Sequence, residues 1–391
     1  MKTLSRYVLV QLLQVFLLTL AGLTALIFVG LVAKEAVKKG LGLGPLLRMT
    51  PYLLPQAMQF AVPGTMLLAT TSVYGRLSQA NEVIAAKALG ISPWVLARPT
   101  LVLAAITSLG AVALNDLAVS WGRLGVQRVF VESFEEVIYS QLRLHRSYAD
   151  AGVQINVRRV EGRKLVLPKV TVQRRDGDSW TLASRSAELR SSPDRRKLIV
   201  AFEGIHLEGD VNAAIATKIE REIDLDELVG AGDGRSPSNY ALAEIGVERA
   251  AVDARLAGLR RRQTHERALA LVTGDLDRLS AESWRPIQAS VAGEEHRRRR
   301  LVLEPYRRWA AGFSCLAFVM VGVPMAILRQ KGEFLESFFL CFLPILLAYY
   351  PLLILSVDHA KAGDIPPVAV WAGNAALAVW GLWMMRRVVR H

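Results

Sequence analysis

The chain has 391 residues, of which 52% are hydrophobic and 21% are charged, and its formal net charge is +13. A mean hydropathy of +0.28 excludes an ordinary soluble protein, so the charges must be segregated from the apolar segments. The central block 119–308 holds 33 Lys and Arg residues against 28 Asp and Glu residues, and the rest of the chain holds 15 against 7. This second excess forms a basic rim around the apolar segments, which indicates anionic lipid head groups rather than nucleic acid.

Six charge-free apolar runs are each long enough to cross about 30 Å of hydrocarbon as a helix. They cover 7–33, 49–75, 99–115, 309–328, 337–357 and 365–385. We therefore predict an α-helical membrane protein with six transmembrane helices. Pro51, Pro55 and Pro63 predict a bent or broken start to the second helix, and Pro93 is suited to open the third.

A polar stretch, 74–93, separates the second and third runs and predicts a short helix at about 78–90. Ser78 is suited to cap its start, Glu82 to lie at the positive end of its dipole, and Gly90 to follow its last turn. Four apolar residues fall on one face at helical spacing: Leu77, Ala80, Ile84 and Ala88. Such a helix is either a connector on the membrane surface or a docking helix for a cytoplasmic partner.

The charges of the short loops predict the orientation of the spans. One side carries ten basic residues: Lys2, Arg6, Arg76, Lys87, Arg98, Arg329, Lys331, Arg386, Arg387 and Arg390. The other side carries five: Lys34, Lys38, Lys39, Arg48 and Lys361. The positive-inside rule therefore places both termini and the 74–93 stretch in the cytoplasm, and the central block in the periplasm of a two-membrane bacterium.

A basic cluster opposes this rule at the outer end of the first helix. Lys34, Lys38 and Lys39 lie there together, and such a violation predicts an anionic ligand. The alternative is local pairing with Glu35 and ordinary contact with lipid head groups.

The central block predicts two parts. Within 119–239, short β-type segments separated by turn residues predict an inserted antiparallel β sandwich or jelly roll; they cover 153–157, 164–167, 170–172, 180–183, 197–202 and 204–208. Within 240–303, apolar stripes predict a helical hairpin before the last three spans in 304–391. The basic runs 260–262 and 297–300 indicate a solvated face or a contact with acidic lipid, because they lack the interleaved aromatics of a nucleic-acid surface.

Motifs that would carry chemistry are missing from the sequence. It contains no GxxxxGK[ST] phosphate loop and no HExxH, CxxC or GxSxG motif, and its six histidines are scattered. The spans have almost no ionisable residues in their middles, which argues against an ion-coupled transporter. We therefore predict no catalytic residues, no metal and no cofactor in this chain, but a membrane component that depends on an external energy source.

Several segments, taken in order, resemble the LptF/LptG permease family of the lipopolysaccharide exporter. The segment 81–92, NEVIAAKALGIS, is similar to the family's coupling-helix signature, and 164–167, 186–189 and 198–202 resemble its jelly-roll strands. The sequence EPYRRWA at 304–310 resembles the start of the family's fourth helix, and GVPM at 322–325 its Gly-x-Pro-Leu stretch. The helical segment 240–300 is longer than the family usually has.

The resemblance implies one subunit of a paired permease, a heterodimer or homodimer, in the inner membrane. A separate cytoplasmic ABC ATPase dimer would use the ATP, and extracted lipopolysaccharide or a related anionic lipid would pass to periplasmic jelly-roll proteins like LptC and LptA. Residues implied to couple to the ATPase are Arg76, Glu82, Val83, Ile84, Lys87 and Gly90. Those implied to bind lipid are Lys34, Lys38 and Lys39. The alternative hypothesis is a non-transport scaffold that presents a periplasmic β domain for envelope assembly.

Overall fold

The computed structural model describes residues 2–39, 43–132, 138–139, 141–143, 146–150, 153–173, 179–191, 197–207, 218–224, 236–274, 281–329 and 334–390. Its N-terminal helices are α1 (Lys2–Lys39), α2 (Leu43–Gln79), α3 (Glu82–Ala88), α4 (Pro93–Leu117), a π-helical turn (Ala118–Arg123) and α5 (Leu124–Glu132). After the strands come a 3₁₀ turn (Pro237–Asn239), α6 (Leu242–Thr273), α7 (Ala281–Leu328), α8 (Phe334–Pro344), a second π-helical turn (Ile345–Tyr349), α9 (Tyr350–Ala362), a 3₁₀ turn (Pro367–Trp371) and α10 (Ala372–Arg390).

Five helical segments of the described chain are long and apolar enough to cross a membrane: Thr3–Val37, Pro93–Val129, Trp284–Leu328, Phe338–Ala362 and Pro367–Arg390. The structure thus confirms a helical membrane protein but not six spans. The predicted second span lies on α2, whose three prolines and polar side chains dilute its apolar character. Of the bent or broken start predicted for this helix, the break is wrong, because α2 continues through Pro51, Pro55 and Pro63.

The chain forms two compact units. The first comprises Met1–Ile27, Pro55–Ser120 and Ser236–His391, and the second comprises Phe28–Leu54 and Trp121–Arg235. In their described parts, the first unit is helical and the second contains the β-strands.

Close contacts between helices organise the first unit around α7. A Cβ atom added to Gly312 would lie 2.3 Å from Cγ2 and 2.9 Å from the backbone nitrogen of Val112 on α4. One added to Gly381 of α10 would lie 2.4 Å from the carbonyl oxygen of Met320 on α7. Small residues at such crossings let membrane helices approach closely, so α7 is clamped between α4 and α10.

The second unit is built on one antiparallel sheet. Its described strands are β1 (Ser147–Asp150), β2 (Val153–Asn156), β3 (Arg159–Glu161), β4 (Lys164–Val166), β5 (Lys169–Gln173), β6 (Ser179–Ser191), β7 (Lys197–Leu207) and β8 (Lys218–Asp224). The long strand β6 pairs with β5 and β4 as well as with β7, and β8 pairs with β7. A jelly roll needs two packed sheets, so the described strands do not confirm it.

The predicted β segments all fall on strands, but the boundaries differ. The segments 197–202 and 204–208 were expected as two strands, whereas β7 is continuous. Among the turn residues that separate the predicted β segments, Glu161-Gly162 forms a turn, with Gly162 at φ 61°. The turn residues 176–178 and 208–210, and those of 191–194 that follow Ser191 of β6, lie outside the described residues. The first residues of the block, from 119 onward, are helical because Val126 and Val129 pack against Met49 and Leu53 of α2.

The predicted helical hairpin is formed by α6 and the first part of α7. Its core contains Ile245, Val252 and Leu256 of α6 and Leu301 of α7. The hairpin does not end at 303, because α7 continues as one helix to Leu328.

The basic run 297–300 is not a free solvated face. Arg297 pairs with Glu248 at 3.0 Å, and Arg298 pairs with Asp253 at 2.6 Å. Partial burial by itself would raise the pKa of Glu248. Hydrogen bonds from Arg297 and Arg255 have the larger opposite effect, so the pKa of Glu248 is lowered from its usual value. The run therefore joins the two helices of the hairpin.

A buried ion network lies where α4, α6 and α7 meet. Arg308 of α7, whose side chain is 3% exposed, donates from Nη1 to Oδ1 of Asp116 at 2.7 Å. Its Nη2 donates to the carbonyl oxygen of Tyr240 at 2.6 Å. The same Asp116 oxygen accepts from the backbone N–H of Leu242 at 2.8 Å, which is one of the unpaired amides at the start of α6.

A second carboxylate completes this network. Glu304, 5% exposed, has Oε2 2.7 Å from Nη2 of Arg307 and 3.8 Å from Nε of Arg308. The hydroxyl of Ser238 donates to its other oxygen at 2.9 Å. Residues far apart in the sequence therefore fix the hairpin to the last turn of α4.

Candidate coupling site

The polar stretch between α2 and α4 forms a short helix between two turns. The helix α2 ends at Gln79, and Asn81 then takes the left-handed conformation at φ 59° before α3 begins. Asn tolerates this region better than other non-glycine residues. The expected cap at Ser78 is wrong: Ser78 belongs to α2, and its hydroxyl donates to the carbonyl oxygen of Ile327 at 3.0 Å.

The end of α3 matches the sequence prediction. Gly90 has φ +74°, and its N–H donates to the carbonyl oxygen of Lys87 at 2.9 Å, while the N–H of Ile91 donates to that of Ala86 at 3.0 Å. This is the Schellman pattern, which favours glycine at the left-handed position. Helix α4 then starts at Pro93, as predicted.

The inner face of α3 differs from the predicted stripe. Val83 and Ala86 are 3% and 8% exposed and belong to the buried cluster that also contains Leu77 of α2 and Val388 of α10. Ala80, Ile84 and Ala88 were expected on the same face as Leu77 but are exposed. The stripe fails because the turn at Asn81 resets the helical phase.

The outer face of α3 presents an acidic group beside aliphatic side chains. Glu82 and Ala85 are exposed, Ile84 is 44% exposed and Leu89 is 79% exposed. The exposed side of α3 and its following turn therefore combines one carboxylate with aliphatic side chains.

The six residues implied to couple to the ATPase therefore occupy different places. Arg76 lies exposed on the last turn of α2, and Glu82 and Ile84 are exposed on α3. Val83 points into the core, and Gly90 shapes the turn. Lys87 is half-buried, and its Nζ donates to the carbonyl oxygen of Val388 at 2.7 Å.

The structure adds supporting residues that the sequence did not reveal. The Tyr74 hydroxyl donates to the carbonyl oxygen of Leu96 at 2.7 Å and lies 2.6 Å from Oγ1 of Thr100, which ties α2 to α4. Leu89 was missed on the surface because it follows the last helical residue, where apolar periodicity no longer applies. Contacts across such sequence distances leave no local signal.

The implied lipid-binding lysines all lie on the last turns of α1, in the second unit. Lys34 is exposed. Nearby, Phe28 and Val32 of the same helix pack against Met49 and Val126. The helix therefore anchors one face in the unit and leaves the Lys34 ammonium open to solvent or lipid.

The long apolar helices, the inserted antiparallel sheet and the short exposed helix between two long helices define a polytopic membrane protein. A family model described as lipopolysaccharide export system permease LptF/LptG matches residues 6–387. The match covers nearly the whole chain, and the chain belongs to this family. Among curated proteins, no sequence matches it.

Proposed function

We propose that this chain is a permease subunit of an ABC transporter that extracts lipopolysaccharide, or a related anionic lipid, from the inner membrane. A separate cytoplasmic ATPase drives it, and a second permease of the same family completes the membrane part. Both chain termini and α3 lie in the cytoplasm, and the sheet lies in the periplasm. The lipid passes from the sheet to periplasmic jelly-roll partners.

The observation that carries this proposal is the exposed face of α3. A helix of seven residues is too short to be stable alone, yet the turns at Asn81 and Gly90 and the buried side chains Val83 and Ala86 hold it in place. A rigid short helix with an outward carboxylate and two exposed aliphatic side chains is suited to receive force from a partner.

Replacing Glu82 with arginine should remove the ATPase from the complex. The tagged wild-type chain, purified from native membranes in mild detergent, should bring down an ATPase that carries a phosphate loop. Reversing the charge at the centre of the exposed face should lower the recovered ATPase by about tenfold or more, since single central side chains often dominate an interface.

The matched control is Glu266→Arg, which makes the same charge change on an exposed position of α6. It should leave the recovered ATPase at the wild-type level. Full recovery and full activity in the Glu82→Arg complex would falsify docking through α3.

The second part of the proposal assigns the lipid phosphates to the lysines of α1. Changing Lys34 to glutamate should reduce lipopolysaccharide-stimulated ATPase activity of the complex by about fivefold or more, because a basic residue near an anionic surface contributes about 1 kcal/mol, which corresponds to about fivefold, and glutamate adds repulsion. Stimulation is measured in nanodiscs with and without lipopolysaccharide, at low and high salt.

The control for this variant is Arg6→Glu, since Arg6 is an exposed basic residue near the other end of the same helix. Its stimulation should match the wild type. Equal stimulation of the Lys34→Glu complex at every salt concentration would count against a phosphate site at the end of α1.

A further inference from the structure

The ammonium of Lys87 binds the end of the last membrane helix. Its Nζ donates to the carbonyl oxygen of Val388 at 2.7 Å, and Val388 lies in the last turn of α10. The final four carbonyl groups of a helix have no partner inside the helix, and a cation there also interacts favourably with the helix dipole. Lys87 therefore satisfies an acceptor that α10 cannot satisfy by itself.

Apolar packing places α3 in the same cluster as this bond. Val83 and Ala86 of α3 share a buried cluster with Met385 and Val388 of α10. Val388 is 1% exposed. The polar bond and the apolar contacts act together, so α3 and the end of α10 are fixed to each other by two kinds of interaction.

A similar hydrogen bond is made by Ser78, which precedes the turn at Asn81, whereas Lys87 follows that turn. The hydroxyl of Ser78, at the end of α2, donates to the carbonyl oxygen of Ile327, one residue before the end of α7. Ser78 is 1% exposed. In both bonds the acceptor is a backbone carbonyl oxygen at the end of a long helix. Both donors, Ser78 and Lys87, come from the segment that carries the exposed face.

The close crossing of α7 and α10 extends this connection into the membrane. Gly381 of α10 has no room for a Cβ atom against the backbone of Met320 on α7. A displacement of α10 at Val388 cannot occur independently of α7 at this crossing, because packed backbones do not yield as flexible side chains do.

We propose that Lys87 is a positioning residue that transmits motion of α3 to α10, and through α10 to α7, rather than a contact for the ATPase. The proposal rests on the proposed function, since it assumes that a partner pushes on α3. The two roles are distinguished by exposure. Glu82, Ile84 and Leu89 are exposed and form the surface for a partner, while the Lys87 side chain is half-buried and binds Val388. The bond is charge-assisted, which makes it stronger than a neutral hydrogen bond.

The first test uses the purified full-length chain without any partner. Hydrogen exchange of the backbone amides in 83–91 is compared between wild type, Lys87→Met and Lys87→Arg. Methionine keeps the length and apolar character of the stem but removes the donor, so exchange in α3 should rise by roughly fivefold or more, as expected for loss of one charged hydrogen bond. Arginine, which keeps the charge and the donors, should restore most of the protection.

The second test uses the complex with the ATPase that copurifies with the wild-type chain. The Lys87→Met complex should contain as much ATPase as the wild type, while stimulation of its ATPase activity by lipopolysaccharide in nanodiscs should fall by about fivefold. Lys87→Arg should regain most of the stimulation. A direct ATPase contact predicts the reverse pattern, with ATPase lost from the Lys87→Met complex.

Three results overturn the proposal: unchanged exchange in 83–91, loss of the ATPase from the Lys87→Met complex, or wild-type stimulation in that complex. Failure of the proposed function has a different signature, since no ATPase would then copurify with the wild type. In that case the exchange measurement still decides whether Lys87 holds α3 to α10.

Discussion

Replacing Arg308 with methionine is expected to lower the free energy of unfolding by about 3 kcal/mol, because removal of one partner from a buried ion pair leaves a carboxylate uncompensated. Arg308 is 3% exposed and Glu304 is 5% exposed, while Asp116 is 30% exposed. The exposure of Asp116 places the expected loss at the lower end of the range for buried pairs. Methionine fills a similar volume, so the effect reports lost charge and hydrogen bonds more than a cavity.

Geometry makes lysine a poor substitute at this position. Arg308 reaches the Asp116 carboxylate from Nη1 and the Tyr240 carbonyl from Nη2, which uses the planar fork of the guanidinium. An ammonium group cannot make the same two bonds at a fixed angle. We expect Arg308→Lys to lose about half of the stability that Arg308→Met loses.

The measurement is equilibrium unfolding in mixed detergent micelles, followed by the fluorescence of the eight tryptophans. Arg307→Met is the matched control: Arg307 lies next in the chain and binds the same Glu304, but its side chain is 36% exposed. Its loss should stay smaller than that of Arg308→Met, at about 1–2 kcal/mol, because the Arg307 side chain is exposed although it binds the buried carboxylate of Glu304. Equal losses at Arg307 and Arg308 would contradict the assignment of Arg308 as the centre of the network.

A double substitution separates the pair from its surroundings. If Arg308 and Asp116 stabilise each other, then Arg308→Met combined with Asp116→Asn should cost less than the sum of the two single changes. Asp116 also binds the first amide of α6 at Leu242. The Asp116→Asn variant should therefore also raise hydrogen exchange at the start of α6, which Arg307→Met should leave unchanged.

This network shows what the sequence does not reveal. The motif EPYRRWA resembled the start of the family's fourth helix, but in the structure it lies inside α7. Nothing local indicates that Arg308 binds Asp116, 192 residues earlier. Side-chain partners depend on which helices pack together, and periodicity reports only which face of a helix is apolar.

Local signals worked where the structure depends on a few neighbouring residues. Gly90 and Pro93 were placed correctly, because a left-handed residue and an N-terminal proline each follow from backbone sterics. The β segments were also found from local signals, namely short β-type runs separated by turn residues. Local signals failed at Ser78, which has the chemistry of a cap but binds Ile327 instead.

Proline was the other source of error. Pro51, Pro55 and Pro63 were expected to bend or break the start of the second helix, yet α2 continues through them without a break. Each proline removes one hydrogen bond from a helix, and neighbouring helices can compensate for that loss in a membrane protein. Whether a proline ends a helix therefore depends on tertiary packing, which the sequence does not show.

Replacing Gly381 with alanine is expected to lower the free energy of unfolding by about 2–3 kcal/mol, the upper range for overpacking. The added methyl group would lie 2.4 Å from the carbonyl oxygen and 2.6 Å from the carbonyl carbon of Met320. Both atoms belong to the backbone of α7, which cannot rotate away as a side chain can. Relief therefore requires that α10 and α7 move apart along the crossing.

The matched control is Gly110→Ala on α4, where a Cβ atom would meet nothing within 4 Å. Alanine is the better helix former, so this variant should be neutral or more stable by roughly 0.5–1 kcal/mol. If Gly381→Ala lowers the free energy of unfolding and Gly110→Ala does not, the effect at Gly381 comes from the contact with α7 and not from helix propensity. The same unfolding measurement in mixed micelles decides this, and wild-type stability of Gly381→Ala would exclude a tight crossing.

The consequences of Gly381→Ala should reach the coupling segment. If α10 shifts away from α7, the carbonyl oxygen of Val388 moves relative to Lys87, and the 2.7 Å bond between them weakens. Hydrogen exchange in 83–91 should then increase, although the substitution lies on another helix, seven residues before Val388. Gly110→Ala should leave that exchange unchanged. A destabilised Gly381→Ala protein with normal protection of α3 would show that the crossing and the coupling helix respond independently, and transmission from α3 through α10 to α7 would be wrong.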